Sequence, residues 1–361
     1  MRKLWLTPEI KGLDFSENEV RCAILQDQPL LLTLYTKGIC NAKCPSCYIT
    51  SNDEFYSEMN IDDYIDIIRE ARTLNIKSIK FSGAGEPLLV PEILEILKEC
   101  NAQGIVPIVY TNGSLFGDND LCRQIHGVDS LQLIDELYNI GASLVYKCNS
   151  MNPQIQDKLL GVENMSTMTY KGLLNLIYYG YNESKRLALQ TIITPQNYYE
   201  VENLYRFSRK NRITPYFETV LKKGSAGEHD ELYLDDSKIK NIFLKLLNID
   251  KNEFGIEWFP VPSYVNFQCT ELGYSFLIDN FGYIKLCPGI WKSVGNIRET
   301  SLKKIWESEY MVKFRARVNQ PMKGKCATCS HKATGNCGYG CRAYAYLNTG
   351  DLYGEYSECW W

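Results

Sequence analysis

The sequence contains no hydrophobic run long enough to cross a membrane. Its apolar stretches, such as Leu30 to Leu34, stop far short of the roughly 20 residues that a membrane helix requires. The opening residues reach Pro8, Glu9 and Lys11 before the apolar core of a signal peptide can form. We therefore expect a chain that is neither inserted in a membrane nor exported, and that works in the cytoplasm.

An excess of positive charge is also lacking. The chain carries 39 Lys and Arg against 43 Asp and Glu, for a net charge of −4. Nothing in this balance attracts phosphate backbones or anionic lipid. We expect neither nucleic acid nor a membrane surface as a partner. A hydrophobic content of 45% in 361 residues is enough to bury a full core.

Cysteine, by contrast, is abundant, with 14 residues. A disulfide scaffold is not expected, because thiols stay reduced in the cytosol and a large core needs no covalent links. Most of the cysteines should therefore bind metal.

The middle of the chain alternates strand patterns with helix patterns, which predicts an α/β fold with a parallel sheet. Six such units predict a partial (β/α)6, TIM-like barrel. The predicted strands are Leu30–Thr36, Ser78–Ser82, Val106–Thr111, Ser143–Asn149, Arg186–Ile193 and Ile213–Val220. Helical periodicity covers Ile61–Leu74, Glu92–Asn101, Leu131–Ile140, Lys171–Tyr181 and Tyr199–Lys210.

Three regions are predicted along the chain. Residues 1–29 form an N-terminal extension, residues 30–230 the barrel, and residues 231–361 a linker helix followed by a small cysteine-rich domain. The boundary falls in the glycine-bearing loop Lys222–Asp230, and a helix is predicted at Asp235–Leu247. Beyond it, Tyr274–Ile278 and Tyr283–Cys287 flank a turn and predict a hairpin.

The first cysteine cluster follows the first predicted strand directly. Cys40, Cys44 and Cys47 have the spacing C-x3-C-x2-C, and Tyr48 comes next. Barrels and open α/β sheets build their sites at the carboxyl ends of strands. Three thiolates can ligate three irons of a 4Fe-4S cluster and leave the fourth iron open. A tetrahedral zinc site is the alternative for closely spaced cysteines.

This motif resembles that of the radical S-adenosylmethionine (SAM) enzymes. In that family the open iron chelates SAM, and an electron from the cluster cleaves SAM to a 5′-deoxyadenosyl radical. The resemblance implies a 4Fe-4S cluster and SAM as cofactors, and an electron donor such as flavodoxin or ferredoxin.

Other strand ends carry further features of the same family. Gly83, Gly85 and Glu86 lie in a GAGEP segment that resembles the family's GGEP motif, which meets the SAM amino group, and Thr111 begins a TNG seen at this point in many relatives. Taken alone, both segments are ordinary turns. The resemblance gives Asn149 or Ser150 a role at the SAM ribose or carboxylate, although each is equally a strand-end cap.

Period-2 alternation on the fourth strand turns Lys147 and Asn149 to one face and Cys148 to the other. The first face is predicted to look into the barrel, with Lys147 near cofactor or substrate. Gln190 and Glu218 lie late in the next two strands, where each could face substrate or equally pair with Lys or Arg, and Gln190 is assigned to the cofactor set. Cys148 is interpreted as a packed core thiol, as are the remaining isolated cysteines Cys22, Cys100 and Cys122.

The C-terminal cysteines resemble the SPASM domain, the auxiliary-cluster module of many radical SAM enzymes. By that resemblance one 4Fe-4S cluster is held by Cys326, Cys329, Cys337 and Cys359, and a second by Cys269, Cys287 and Cys341. Two features depart from the pattern. Seven residues separate Cys329 from Cys337, and the cysteine common just before the Cys269 position is absent, which leaves one iron of the second cluster without a cysteine. Two zinc sites are the alternative.

The leading functional hypothesis is a radical SAM oxidoreductase or epimerase. It would abstract a hydrogen atom from a peptide side chain or from a small sugar-like molecule, and auxiliary clusters suit a net oxidation because they accept an electron. Only 39 residues precede Cys40, so no leader-recognition domain is expected, which keeps both substrate classes open. The alternative is a non-catalytic iron-sulfur or zinc protein that carries electrons or serves as a scaffold.

The cysteine sets predict the metal content. After anaerobic reconstitution, iron and acid-labile sulfide assays should find well over about four irons per chain, because the motifs provide for up to three 4Fe-4S clusters. Stoichiometric zinc without sulfide would contradict this interpretation.

Overall fold

The computed structural model describes residues 10–49, 57–258, 271–315, 321–333, 337, 340–357 and 359–361. Its strands are β1 (Leu31–Tyr35), β2 (Ser78–Ser82), β3 (Val106–Thr111), β4 (Ser143–Lys147), β5 (Leu187–Ile193), β6 (Thr214–Thr219), β7 (Ser275–Ile278), β8 (Tyr283–Cys287) and β9 (Ile290–Asn296). Helices of the first half are α1 (Glu17–Leu25), α2 (Ile61–Thr73), α3 (Ile93–Ala102), α4 (Asn119–His126), α5 (Ser130–Ile140), α6 (Pro153–Leu160) and α7 (Met165–Tyr178). Those of the second half are α8 (Val201–Lys210), α9 (Asp236–Ile249), α10 (Leu302–Trp306), α11 (Glu309–Arg315), α12 (Ser330–Ala333) and α13 (Arg342–Thr349).

The first six strands are parallel and lie in chain order, β6-β5-β4-β3-β2-β1. Each is joined to the next by a connection that contains one or more helices. Sequential order with helical crossovers curls a sheet in one direction, because βα crossovers share one hand. The predicted α/β partial barrel is confirmed, and all six predicted strands are present.

Alternate residues of the strands serve two different cores. Leu32 and Leu34 of β1 pack with the helices outside the barrel, whereas Leu31 packs inside with Val145 of β4 and Ala188 of β5. The predicted alternation on β4 is also observed, because Leu144, Tyr146 and Cys148 all belong to the outer core. The inside of the barrel near the carboxyl ends is therefore left to the polar members of each strand.

The N-terminal extension closes the opposite, lower end of the barrel. Ile10 and Ala23 are buried there against the interior cluster. The carbonyl of Gly12 accepts a hydrogen bond from Ser78 Oγ at 2.6 Å, and that of Lys11 accepts one from Ser143 Oγ at 2.7 Å. Within the described residues, the amino ends of two strands are thereby capped by the N-terminal extension.

The predicted C-terminal hairpin is present but does not form a sheet of its own. Strand β7 pairs with β1 in parallel, and β8 and β9 continue the same sheet with antiparallel pairing, so the described sheet has nine strands. The turn is attached beside the cysteine loop, since Glu58 Oε1 accepts hydrogen bonds from Asn280 Nδ2 and from Gly38 N, each at 2.8 Å. The domain boundary at residue 230 stays a prediction.

Other differences from the sequence prediction are local. Helix α7 begins at Met165, six residues before the predicted start, and α1, α4, α6 and α10–α13 were not predicted. Cys100 and Cys122 are buried as expected, but the prediction for Cys22 was wrong because it lies exposed on α1. Within the described ranges, no helix combines the length and apolarity needed to cross a membrane.

Arg315 on α11 attaches the C-terminal region to the N-terminal extension. Its guanidinium donates two hydrogen bonds of 2.7 Å to the carboxylate of Asp27 and lies 3.8 Å from the ring centroid of Trp306. The Trp306 indole donates to the Asp27 carbonyl at 2.6 Å. The side chain of Arg315 is 5% exposed, whereas that of Asp27 is 53% exposed, so this ion pair is only partly shielded from water.

Arg315→Ala should lower the unfolding free energy by about 2 kcal/mol, because it removes a bidentate, charge-assisted contact and its packing on Trp306. Lys313→Ala on the same helix is the matched control. Lys313 pairs with Glu309 in solvent, so we expect a loss below about 0.5 kcal/mol. Denaturant titrations of the two variants should differ. Equal losses would show that the Arg315 contact contributes no more than an exposed pair.

Candidate active site

The three clustered cysteines lie on a loop that leaves the carboxyl end of β1, at the open mouth of the barrel. Cys40 is exposed, and Cys44 and Cys47 are half-buried. The thiols of Cys44 and Cys47 lie within electrostatic reach of the Cys40 thiol. We call residues 37–49 the cysteine loop. The predicted location of this motif at a strand end is thus observed.

Backbone hydrogen bonds hold the cysteine loop to neighbouring strand ends. Glu86 N, just after β2, donates to the Ile39 carbonyl at 2.8 Å, and Lys43 N donates to the Leu160 carbonyl of α6 at 2.8 Å. On the far side, Ala226 N, after β6, donates to the Cys47 carbonyl at 3.0 Å. Side chains add to this, because Asn41 bonds both Ser114 and Asn112 after β3.

Glycines allow these close approaches. Gly83 has φ +99°, and a Cβ there would overlap the ring of Tyr35. A Cβ on Gly85 would overlap the carbonyl oxygens of Ile39 and, at 2.5 Å, Lys37. The GAGEP segment therefore lies flat against the cysteine loop, which is a packing reason for both glycines.

Glu86 of the same segment is buried and uses its carboxylate within the protein. It accepts hydrogen bonds from Thr111 Oγ1 at 2.7 Å, from Asn112 N at 2.6 Å and from Leu88 N at 3.2 Å. Burial raises the pKa of Glu86 to about 7, although these hydrogen bonds favour the ionised form. The side chain thus ties the end of β2 to the end of β3.

Two thiols of the cysteine loop, those of Cys40 and Cys44, lie in surroundings that disfavour a free thiolate. Desolvation raises the pKa of Cys40 to about 11, and it also raises the pKa of Cys44. The nearby Lys147 ammonium acts in the opposite direction on Cys44. Cys40 is exposed as a residue, but the protein around its sulfur still disfavours charge. Deprotonation of these thiols therefore requires a metal to take the place of the proton.

Behind the cysteine loop, polar side chains face the barrel interior. Gln190 Nε2 donates to Glu218 Oε2 at 2.9 Å, and Tyr216 also donates to this carboxylate. Burial raises the pKa of Glu218 to about 7, with Lys147 and Lys80 acting in the opposite direction. The structure brings Lys147, Gln190 and Glu218 near one another.

Asn149 and Ser150 follow β4 and are fully buried. Asn149 Oδ1 accepts from Ile192 N at 3.0 Å, whereas its Nδ2 has no hydrogen-bond partner within the described residues. Ser150 Oγ bonds the carboxylate of Glu200, so that hydroxyl is already used. Of the two, Asn149 retains donor capacity for a ligand.

Sequence reasoning did not single out three interior groups. Lys80 on β2 pairs with Glu271 at 2.8 Å, and the alternation of β2 could have indicated its inward direction. Tyr35 at the end of β1 is buried, and its hydroxyl lies beside the phenol of Tyr48. Lys223 after β6 could not be recognised, because a loop has no fixed period.

The assignment of the C-terminal cysteines to two clusters stays a prediction. Cys287 ends β8, and Cys341 is the N-cap of α13. Burial raises the pKa of Cys287 to about 12, and the nearby Cys341 acts in the same direction. Cys326 and Cys337 likewise act on Cys359. Cys329 is half-buried near the start of α12. Cys269 lies outside the described residues. Among the residues described, no three His, Cys, Asp or Glu side chains converge as ligands of one metal ion.

A cavity of about 230 Å³ lies on the outer side of β5 and β6 rather than inside the barrel. It is lined by residues that include Ile193, Thr219, Val220, Lys222 and Tyr233. None of the predicted site residues lines it, so we do not assign the chemistry to this cavity.

Comparison with known proteins agrees with this arrangement. A family model for SPASM, an iron-sulfur cluster-binding domain, matches residues 269–330. The chain is 24% identical over 321 residues to the tungsten-containing aldehyde ferredoxin oxidoreductase cofactor-modifying protein of Pyrococcus furiosus, covering 81% of this chain and 84% of that protein. It is 22% identical over 363 residues to the AdoMet-dependent heme synthase of Methanosarcina barkeri, covering 93% and 97%.

Solved structures share the fold. The chain superposes on Streptococcus suis SuiB bound to S-adenosylmethionine with a TM-score of 0.70 and 17% identity, over 97% of this chain and 84% of SuiB. For anSMEcpe with bound AdoMet the TM-score is 0.62 at 16% identity, over 88% and 87%. Together, the SPASM match, the relatives and the shared fold support a radical SAM enzyme with a SPASM domain. The comparisons thus support an enzyme that cleaves SAM and that uses 4Fe-4S clusters and SAM as cofactors.

The contact between Gly161 and the cysteine loop can be tested. Gly161 has φ +71°, and a Cβ there would overlap the Lys43 carbonyl, whereas Gly127, at φ +72°, has open space around it. Gly161→Ala should displace the cysteine loop and lower its iron content and SAM cleavage at least about tenfold, since small displacements in active sites are costly. Gly127→Ala imposes the same backbone strain, about 1 kcal/mol, without that overlap.

Iron analysis and 5′-deoxyadenosine formation should therefore separate the two glycine variants. If both variants retain iron and activity equally, the cysteine loop does not depend on this contact.

Proposed function

We propose that Cys40, Cys44 and Cys47 hold the SAM-cleaving cluster and that a substrate in the barrel interior loses a hydrogen atom to the radical formed there. When bound, the cluster and SAM supply a 5′-deoxyadenosyl radical. The observation that carries the proposal is the position of the cysteine loop. It covers the open end of a barrel whose other end is closed and whose interior, directly behind the loop, is polar.

The residues at the barrel mouth fit these cofactors. Three thiols on one anchored loop match three irons and leave one iron for SAM. The free Nδ2 of buried Asn149 supports its assignment to SAM. Gly83 and Gly85 would offer backbone groups at a closely packed surface.

The remaining members of the predicted cofactor set have different parts. Glu86, Thr111 and Ser150 have their side chains engaged within the protein, so we propose that they position the SAM site. Gln190 is bonded to Glu218 inside the barrel, and we propose that it lies between SAM and substrate.

The chain's own groups would bind and orient a polar substrate. Lys147 contributes a positive charge near both Cys44 and Glu218. A carboxyl group such as Glu218, with a pKa of about 7, can hold or release a proton near neutral pH. The closed lower end of the barrel excludes water from beneath the substrate. These features favour a substrate with hydroxyl, amino or carboxylate groups beside the C–H bond that is broken.

We propose a peptide side chain or a small sugar-like molecule as substrate, and oxidation or epimerisation as the reaction. The relatives span both classes, since SuiB was solved with its precursor peptide and other relatives are named heme synthase and nucleotide dehydratase. We propose that Cys326, Cys329, Cys337 and Cys359 hold one auxiliary cluster, and Cys269, Cys287 and Cys341 another. Such clusters would accept the electron that an oxidation releases.

The experiment uses deuterium to find the substrate. Extract from cells of the source organism grown in deuterated medium is separated by size into small-molecule and peptide fractions. Each fraction is incubated with reconstituted enzyme, SAM and dithionite. The fraction that contains the substrate should transfer deuterium to 5′-deoxyadenosine, which mass spectrometry detects.

Two variants serve as controls. The triple variant Cys40→Ala, Cys44→Ala, Cys47→Ala should form no 5′-deoxyadenosine yet keep the C-terminal clusters visible by electron paramagnetic resonance (EPR). Cys22→Ala, which removes an exposed cysteine far from these sets, should behave as the parent does. Residual cleavage in the triple variant would refute the ligand assignment. Absence of 5′-deoxyadenosine from the fully reconstituted parent would instead favour an electron carrier or scaffold.

A further inference from the structure

One short segment after β6 contacts the surroundings of two separate cysteine sites. Ala226 N donates to the Cys47 carbonyl at 3.0 Å, and Lys223 Nζ donates to the Pro288 carbonyl, next to Cys287, at 2.8 Å. The hydroxyl of Tyr344 on α13 bonds the carbonyl of Val220. We call residues 220–226 the bridging segment, because it joins the cysteine loop to both described cysteines of the second auxiliary site.

Lys223 of the bridging segment places its Nζ beside the chain that carries Cys287. Burial lowers the pKa of Lys223 to about 7, and the Lys285 ammonium on β8 acts in the same direction, whereas Cys287 and Cys47 favour the charged form of Lys223. Lys285 is paired with Asp279 at 2.5 Å, so its charge is largely compensated. A 4Fe-4S cluster with thiolate ligands is anionic, and by Coulomb's law it favours a cation at this position.

We propose that Lys223 is a positioning residue that raises the reduction potential of the auxiliary cluster held by Cys287 and Cys341, and thereby makes that cluster the electron acceptor of the reaction. The inference rests on the proposed function, because it requires those cysteines to hold a cluster. Potentials of iron-sulfur clusters depend on net charge, hydrogen bonding and solvent exposure. Lys223 acts on the first of these and, through the Pro288 carbonyl, orders the chain that carries Cys287.

The electron balance is simple. The adenosyl radical takes one hydrogen atom from the substrate, and the substrate radical then loses one proton to water and one electron. That electron reduces the auxiliary cluster by one charge unit. A nearby cation stabilises the reduced state more than the oxidised state, because the reduced state carries one more negative charge. The potential therefore rises, and electron transfer away from the substrate radical becomes more favourable.

The test is a redox titration followed by EPR. It uses the full chain with Cys40, Cys44 and Cys47 replaced by alanine, so that only the C-terminal clusters contribute. The transition that disappears in an added Cys341→Ala variant identifies the cluster in question. In this background, Lys223→Met should lower the midpoint potential of that transition and leave the other transition in place.

Further variants separate charge from structure. Lys223→Gln removes the charge but keeps an N–H donor for the Pro288 carbonyl, and it should lower the potential in the same direction. Lys223→Arg keeps the charge and should restore the parent value. Lys222→Met is the matched control, because the neighbouring Lys222 is half exposed and pairs with Asp230 in solvent. It should leave the potential unchanged.

Each outcome is decisive. Equal potentials in the parent, Lys223→Met and Lys223→Gln proteins would overturn the inference while the proposed function stands. A shift with Lys222→Met as large as that with Lys223→Met would overturn it too, since solvent-screened charge would then suffice. If no transition depends on Cys341, the proposed cluster assignment fails and the inference fails with it.

Discussion

The arrangement of the site depends on one steric constraint, the close packing of the cysteine loop against backbone from neighbouring strand ends. The carbonyls of Ile39 and Cys47 accept backbone N–H groups from Glu86 and Ala226, and Lys43 N donates to the carbonyl of Leu160. Gly85 and Gly161 leave space for the close approaches at Ile39 and Lys43. A loop held at three points cannot shift without breaking hydrogen bonds in a buried region, which is costly. Rigid placement of three thiols follows from this packing rather than from any property of the cysteines.

Two ion pairs that are largely shielded from water lie at the start and end of β7. The pair Lys80–Glu271 joins β2 of the barrel to the chain that leads into β7, and the pair Lys285–Asp279 joins β8 to the end of β7. Away from water, breaking such a pair by removing one partner is strongly destabilising. The first pair helps to explain why the C-terminal hairpin adds to the barrel sheet.

The strand pattern of the barrel was predictable because each strand is short, apolar and bounded by turn residues. The face of β4 that carries Lys147 and Asn149 was also predictable, since alternation along a strand has a fixed period of two. Predictions failed where no local period exists. Cys22 was expected to be buried, yet α1 turns it to solvent. The pairing of β7 with β1 joins strands that lie far apart in the chain, and local pattern carries no information about such a partner.

By itself the sequence determined which residues could serve as ligands and which strand ends would carry them, because cysteine spacing and strand alternation are local properties. Only the tertiary structure decided that the segment after β6 would lie between Cys47 and Cys287. Likewise, it was the folded chain that left the Nδ2 of Asn149 buried without a partner among the described residues. These contacts join segments distant in the chain, and they form because burial and backbone hydrogen bonding are satisfied over the whole molecule at once.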